Sequence, residues 1–433
     1  MGFLSKIVTR WLSGGVQGGR LNIRFPNGEI GEFGDGPSPP IEIAITSETW
    51  LRKILLDPEL QFGDAYMEGG VRLESGDLYD LVDLLWQSFR DENGNAEQRL
   101  AMVFRRLFRA LAQFNPQGRS LRNVTHHYDI GNDLYQLFLD EDMQYSCAYF
   151  PNSETTLEEA QRLKKDHIAR KLCLKPGQKI LDIGCGWGGM ALHLANTEHV
   201  DVYGITLSSE QINLAKCRAE AERLSGRVSF AIQDYRNLTE TYDRIVSVGM
   251  FEHVGVPHYQ AYFDRVAACL KEDGVALIHT IGRAPGPGVT NPWIAKRIFP
   301  GGYIPALSEI VPMIERAGLM VLDVEVLRLH YAETLRAWRT RFLDNADKAE
   351  ALYDDRFVRM WDFYLASSEV SFRSGLHNVF QVQIGKQQDA APLTRDYLYP
   401  VPKAQSVADF KAFADERSVK LVDQASRQAR SRR

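Results

Sequence analysis

Apolar positions along this chain keep two different periods, and the switch between them divides it. Leu21-Asn22-Ile23-Arg24-Phe25 alternates, Pro26-Asn27-Gly28 turns, and Ile41-Glu42-Ile43-Ala44-Ile45 alternates again, which predicts a small sheet containing a hairpin. Helical spacing takes over in 49–56 and 77–89, and the polar run 91–95 breaks it. Leu100, Val103, Phe104, Leu107, Phe108 and Leu111 then recur at helical spacing, with Arg99, Arg105, Arg106 and Arg109 between them. From 179 onward strands and helices alternate. Strands are expected at 179–184, 200–207, 228–234, 242–248 and 275–280, with helices at 188–196, 209–224 and 258–270. That alternation specifies an α/β domain whose mostly parallel sheet is covered on both faces. Strand-like 320–329 and 379–384 suggest an antiparallel edge, which brings the expected sheet to seven strands.

At 433 residues the chain exceeds what one core usually organises, so two domains are expected. The pattern divides it into a small N-terminal α+β domain at 1–95, a basic amphipathic linker at 96–122, the α/β domain at 123–390 and an extension at 391–433 that ends in a basic tail. A net charge of −5 argues against bulk nucleic-acid binding. Locally the balance differs, since 97–123 holds six Arg against one Glu. A basic amphipathic helix of this kind lies on anionic lipid or docks one domain on the other. The same two readings apply to the first turns, where Phe3, Leu4, Ile7, Val8, Trp11 and Leu12 line one side against Lys6 and Arg10.

The five cysteines, 147, 173, 185, 217 and 269, lack the paired spacings of a zinc site or a disulfide framework, so no metal is expected and free thiols are. No run reaches the roughly 20 apolar residues of a membrane span, and no cleavable leader is visible. A cytosolic location is expected. The Met1-Gly2 start lacks an acylation signal, because Lys6 stands where Ser or Thr is needed.

Ile180-Leu181-Asp182-Ile183-Gly184-Cys185-Gly186-Trp187-Gly188-Gly189 runs from an apolar strand straight into a helix. Glycines there let the backbone turn tightly and approach a ligand, and the helix N-terminus adds free N–H groups. With its Asp-x-Gly-x-Gly-x-Gly spacing, the loop resembles the first motif of Rossmann-like methyltransferases rather than a dinucleotide fingerprint. The resemblance implies S-adenosylmethionine on Asp182, Gly184, Cys185, Gly186 and Gly188. The second strand ends without the usual acidic ribose ligand, leaving Thr206 and Gln211 as hydrogen-bonding candidates. Asp234 and Tyr235 are placed for the adenine. A helix cap at Ser208 or Ser209 with exposed polar neighbours is the structural alternative.

Four further strings stand together: 142–150 around Tyr145, Ser146, Cys147 and Tyr149; 249–255 around Phe251 and Glu252; His279-Thr280-Ile281; and Leu329-His330-Tyr331. The last three follow strands at their carboxyl ends, where open α/β sheets form sites. These strings resemble the cyclopropane-fatty-acyl-phospholipid synthases and their relatives, the mycolic acid cyclopropane synthases. The resemblance spans nearly the whole chain and is strongest at 123–385. It implies that methylene derived from S-adenosylmethionine is added across a cis double bond of an acyl chain, usually in a membrane phospholipid. It further implies a bound bicarbonate base held by Cys147, Glu252, His279, Tyr331 and the Ile281 N–H, with Tyr145 and Ser146 near the cofactor. A homodimer and peripheral attachment to the inner face of the membrane follow by analogy.

The chemistry suits those residue types. Methyl transfer to an isolated alkene leaves a carbocation, and a proton must leave the new methyl group before a ring closes. An oxyanion in an oily site needs several donors, and Tyr145, Tyr149 and Phe251 offer aromatic faces to a cation. Family members often carry a cysteine where Ser368 stands, so a covalent thiolate route through that position is disfavoured. The proline-rich insertion 283–305, with Trp293, Phe299 and Tyr303, is expected to cover an acyl chain or to pack. Two rival readings remain: lipid methylation without ring closure, giving a methyl-branched or methylene fatty acid or a methylated sphingolipid, and a lipid-binding protein with a vestigial cofactor site.

Overall fold

A computed structural model describes residues 2–89 and 131–399. The amphipathic segment and linker at 96–122 therefore lie outside the described residues, as does the tail beyond 399. The chain divides into two compact units. Among described residues the first contains 2–89, 289–300 and 335–371, and the second contains 131–288, 301–334 and 372–399. The spatial division thus differs from the linear boundaries, because two later segments join the N-terminal unit.

In the first unit β1 (Leu21–Arg24) and β2 (Ile30–Phe33) form the expected hairpin, β3 (Ile41–Ile45) lies parallel to β1, and β4 (Val71–Ser75) pairs antiparallel with β3. Alternation puts Leu21, Ile23, Ile43 and Ile45 into a core closed by Val8, Leu12, Leu51, Leu81 and Leu84 from helices. Ser47 caps the Glu48–Leu56 helix by accepting the Trp50 N–H at 3.3 Å. The sequence pattern did not anticipate β4 or the Pro58–Met67 helix that precedes it. Trp293, from the proline-rich insertion, is buried in this unit, 4.8 Å from the Phe363 ring and hard against Gly63. The expectation that it covers an acyl chain gives way to packing, since a fully covered indole leaves no face for a ligand. Its neighbours Lys296 and Arg297 pair with the buried Asp64 at 3.0 and 2.9 Å.

The second unit holds the seven-stranded sheet. Its strands are β5 (Lys179–Ile183), β6 (Asp201–Thr206), β7 (Val228–Ile232), β8 (Tyr242–Val248), β9 (Leu270–Arg283), β10 (Met320–Leu327) and β11 (His377–Gly385). Their order is β10-β11-β9-β8-β5-β6-β7. Five strands run parallel, and β11 is antiparallel to both β9 and β10. Consequently β10 runs in the same direction as the parallel strands and also delivers its carboxyl end to the common edge. Strand periodicity sends Ile180, Val202, Val246 and Leu277 to one face and Leu181, Ile183, Ile245 and Ile278 to the other, and both sets are buried under helices.

Candidate active site

Three of the four glycines at the end of β5 have left-handed backbone: Gly184 (φ +86°), Gly186 (φ +53°) and Gly188 (φ +84°). Space as well as torsion demands them. A Cβ on Gly184 would stand 2.7 Å from Met250, and one on Gly188 would stand 2.7 Å from Phe230. At Gly186 a Cβ would meet nothing within 4 Å, so that backbone borders open space. The Gly189–Glu198 helix then starts directly behind the loop and aims its unpaired N–H groups at it. This cradle fits an extended, polar cofactor.

A strap formed by residues 142–150 closes over the cradle. Asp142 takes ion pairs from Lys165 at 2.5 Å and from Arg218, and Arg218 also donates to the Trp187 carbonyl at 3.0 Å. The Gln161 amide donates to the carbonyls of Gln144 and Ser146 at 3.2 and 2.9 Å. Lys164, fully buried, donates to Gln144 Oε1 at 2.6 Å and Ser146 Oγ at 2.8 Å. At its far end the strap is clipped to the first turn of the His330–Asp344 helix. There the Ala148 N–H donates to Thr334 Oγ1 and the Phe150 N–H to His330 Nδ1, each at 3.0 Å. That turn carries Tyr331, whose ring packs 4.8 Å from Phe372.

Glu252 occupies a short turn just after β8, and the β8–β9 register sets Val248 opposite His279. Glu252 Oε1 accepts the Ile281 N–H at 2.7 Å, while Oε2 is buried with no hydrogen-bond partner. Burial lifts this carboxyl to about 7. The Ile281 N–H, expected to face an oxyanion, donates to Glu252 in this structure. His279 Nδ1 lies 3.0 Å from the Gln381 amide nitrogen on β11. With that amide donating, the ring proton sits on Nε2. Burial, then the charge of Lys164, hold His279 well below its usual value, so the ring is neutral.

Cys147 is buried, and burial raises its thiol, so it is present as S–H. Asp182 is also buried, with Oδ2 unpartnered, and burial lifts it to about 7 while nearby Lys164 opposes the shift. Lys164 interacts electrostatically with Cys147, Asp182 and His279 alike. It marks the point on which strap, cradle and β9 converge, and burial drops its own value to about 8.

The remaining cofactor candidates are placed less openly. Thr206 Oγ1 donates to Gln211 Oε1 at 3.0 Å, and Ser208 caps the helix that carries Gln211. Asp234 caps a short turn and holds the Arg236 guanidinium at 2.6 Å, so its carboxylate is already spent locally. Tyr235 packs edge-on against Tyr262 at 5.2 Å. Tyr145 contacts Tyr135 edge-on at 5.1 Å, and Tyr149 is sandwiched between His167 and His330 at 4.6 and 4.8 Å. Tyr149 is thus occupied on both faces and is not free to shield a cation. Sequence reasoning missed Gln161, Lys164, Arg218 and Gln381. Only Lys164 left a trace, as one of two adjacent lysines on the buried side of the Leu157–Lys171 helix.

A glycine cradle at the carboxyl edge of a sheet in this order, with one antiparallel strand between β9 and β10, defines an S-adenosylmethionine-dependent methyltransferase. The family described as Mycolic acid cyclopropane synthetase matches residues 116–382, and the chain belongs to that family. Residues 14–94 match a second family, described as Domain of unknown function (DUF7884). The chain is 36% identical over 399 residues to a probable fatty acid methyltransferase of Pseudomonas putida, covering 89% of this chain and 98% of the relative. It is 37% identical over 354 residues to the cyclopropane-fatty-acyl-phospholipid synthase of Escherichia coli (strain K12), covering 80% and 88%. A solved mycolic acid cyclopropane synthase complexed with SAH and CTAB aligns with a TM-score of 0.58 and 33% identity, over 63% of this chain and 99% of that one.

Proposed function

We propose that this enzyme adds a methylene group from S-adenosylmethionine across the cis double bond of an unsaturated acyl chain in a phospholipid, forming a cyclopropane ring. The observation that carries the reading is Glu252: buried, with Oε2 making no hydrogen bond and Oε1 pinned to the Ile281 N–H, two residues along β9 from the neutral His279. S-adenosylmethionine, bound on the Gly184–Gly188 backbone, supplies an electrophilic methyl group, and bicarbonate bound near Glu252 would supply the base. The alkene π electrons form the new C–C bond, S-adenosylhomocysteine leaves, and the neighbouring carbon becomes cationic. Loss of one proton from the new methyl group lets that electron pair close the ring.

This chain's own groups suit an oxyanion next to a cation. Glu252 Oε2 makes no hydrogen bond of ordinary geometry, with the Thr280 side chain as the nearby donor, and is fitted to take the O–H of a protonated oxyanion. His279 Nε2–H, the Tyr331 hydroxyl and the Cys147 thiol, which here donates to the Ala148 carbonyl at 3.3 Å, are uncharged, so none repels the developing carbocation. The ring stack of Phe251 on Tyr259, 4.4 Å between centroids, lies in the turn that carries Glu252 and keeps it dry. Lys164 holds the strap and acts as a positioning residue.

The name of the Pseudomonas putida relative favours a second reading, methylation without ring closure. There a 1,2-hydride shift moves the cation onto the methylated carbon, and a proton lost from the new methyl group gives a methylene product, while one lost from the adjoining chain carbon gives a methyl-branched alkene. Expression in a host with monounsaturated phospholipids, followed by mass spectrometry and proton spectra of the acyl chains, separates the two. Both products are heavier by one CH2, and only a cyclopropane shows high-field ring protons. Ring protons are expected, with turnover on dioleoyl phospholipid vesicles and much less on free oleate. Vinylic methylene signals alone would overturn ring closure.

A further inference from the structure

The Phe3–Leu12 helix is apolar on two sides, and the fold uses only one. Ser5, Val8 and Leu12 are buried, and Val8 and Leu12 join the core of the first unit. Phe3, Ile7 and Trp11, spaced four apart, remain 78%, 40% and 40% exposed. At about 100° per residue these three form a stripe roughly 80° wide, turned well away from the buried side. Among the described residues, no core contact accounts for a Phe and an Ile in solvent at these positions. Lys6 and Arg10 are exposed along one margin of the stripe, and the helix FLSKIVTRWL carries no acidic residue. Glu29, in the turn between β1 and β2, interacts electrostatically with Lys6 and is the acidic group facing it. Trp11 is stacked on Phe89 at 4.4 Å and 14°, so its indole is held rigid with the other face outward.

We infer that this stripe is where the first unit docks on an anionic lipid bilayer, the helix lying in the headgroup plane with Phe3, Ile7 and Trp11 inserted. A short helix with an apolar face, basic residues at its margin and an indole at the boundary is the arrangement that partitions into such an interface. Charge complementarity selects anionic over zwitterionic lipid. The inference gives a task to a module whose family description assigns none, and it rests on the reading above that the substrate is phospholipid. Among the described residues no helix is long and apolar enough to cross a membrane, so attachment here is at the surface.

The test is sedimentation of the full chain with vesicles of dioleoylphosphatidylglycerol or dioleoylphosphatidylcholine, at low and high salt. The wild type is expected on the anionic vesicles and to be partly released by salt. Phe3→Ser with Ile7→Ser weakens that partition by about tenfold or more. Lys6→Gln with Arg10→Gln weakens it by about thirtyfold on the anionic vesicles and little on the zwitterionic ones. Both variants alter exposed side chains, so melting temperature and turnover of detergent-dispersed substrate stay at wild-type values. Undiminished sedimentation of the Phe3/Ile7 variant overturns the inference. So does a wild-type dimer that this variant turns into a monomer while vesicle binding persists, which would make the stripe a face between copies of the chain. If the wild type binds vesicles through the stripe but makes no modified lipid, the catalytic reading fails and the docking surface stands.

Discussion

Replacing Glu252 with Gln keeps the shape of the side chain and its bond from the Ile281 N–H while removing the charge. Burial moves this carboxyl from an ordinary 4.5 up to about 7, so the native state holds its proton over a range in which the unfolded chain has released it. A raised carboxyl contributes no penalty below pH 4.5, and stability is lost progressively as pH climbs toward 7. The displacement corresponds to about 3 kcal/mol above pH 7, and to about 1.4 kcal/mol at pH 5.5. Glu252→Gln is therefore expected to be more stable relative to wild type at pH 8 than at pH 5.5 by about 2 kcal/mol, or about 4 °C in melting temperature. Subtracting the two conditions removes any pH-independent cost of the amide. The assay is thermal denaturation in degassed, bicarbonate-free buffer at both pH values, alongside turnover on dioleoyl vesicles. Turnover should fall by at least about a hundredfold, because an amide NH2 in place of Oε2 would oppose a donor rather than accept from it. A pH-independent stability difference would refute the account of a buried, unpartnered carboxyl. Undiminished ring formation would remove Glu252 from the chemistry.

Three other substitutions probe the same architecture. Lys164→Met should weaken S-adenosylmethionine binding about 10- to 100-fold in calorimetry, since the strap loses two charge-assisted bonds. Because the native lysine sits near 8 against an ordinary 10.5, wild-type stability should rise with pH across that window, and urea denaturation of the Met variant should not show the rise. Gly189→Ala would bring a Cβ to 2.3 Å from Gln144 Nε2 and 2.5 Å from Asp142 Oδ2, so it should push the strap off the cradle and cost about tenfold in cofactor affinity. Gly186→Ala meets no neighbour and should cost only about 1–2 kcal/mol of left-handed strain, and equal affinity losses would contradict the strap. Asp64→Asn should destabilise the first unit by about 1–2 kcal/mol in urea at neutral pH, because it removes the charge that Lys296 and Arg297 pair with while water reaches both cations in part. Asp64 lies below its ordinary 3.8, with burial opposing and its two cations lowering it, so that contribution is present above 3.8 and is lost as pH falls further.

Where cause and consequence are close in the chain, the sequence was informative. The run from Ile180 to Gly189 shows an apolar strand, a turn that only glycine tolerates and a helix start, all set by local sterics. The alternation after 179 specified the layered sheet for the same reason, and Glu252, His279 and Tyr331 were legible through the strings that resemble the family, Glu252 and Tyr331 just after strands and His279 within β9. The Pro58–Met67 helix was missed because its apolar residues keep no clear stripe, with Gly63, Asp64, Ala65, Tyr66 and Met67 all buried in succession.

By itself, then, the sequence determined the fold class, the glycine cradle and the strand ends that carry the candidate site, since periodicity, φ-restriction and strand termini are properties of neighbouring residues. Only the tertiary structure decided which polar groups lose water and which partners they find. Lys164 and Lys165 are identical neighbours in the chain, yet one is sealed under the strap while the other pairs with Asp142. The bond from the Ile281 N–H to Glu252, which joins β9 to the turn after β8, has no trace in the local pattern. Trp293 read as a possible acyl-chain cover and is packed on Gly63. Desolvation and long-range pairing depend on residues tens to hundreds of positions away, and no local pattern encodes them.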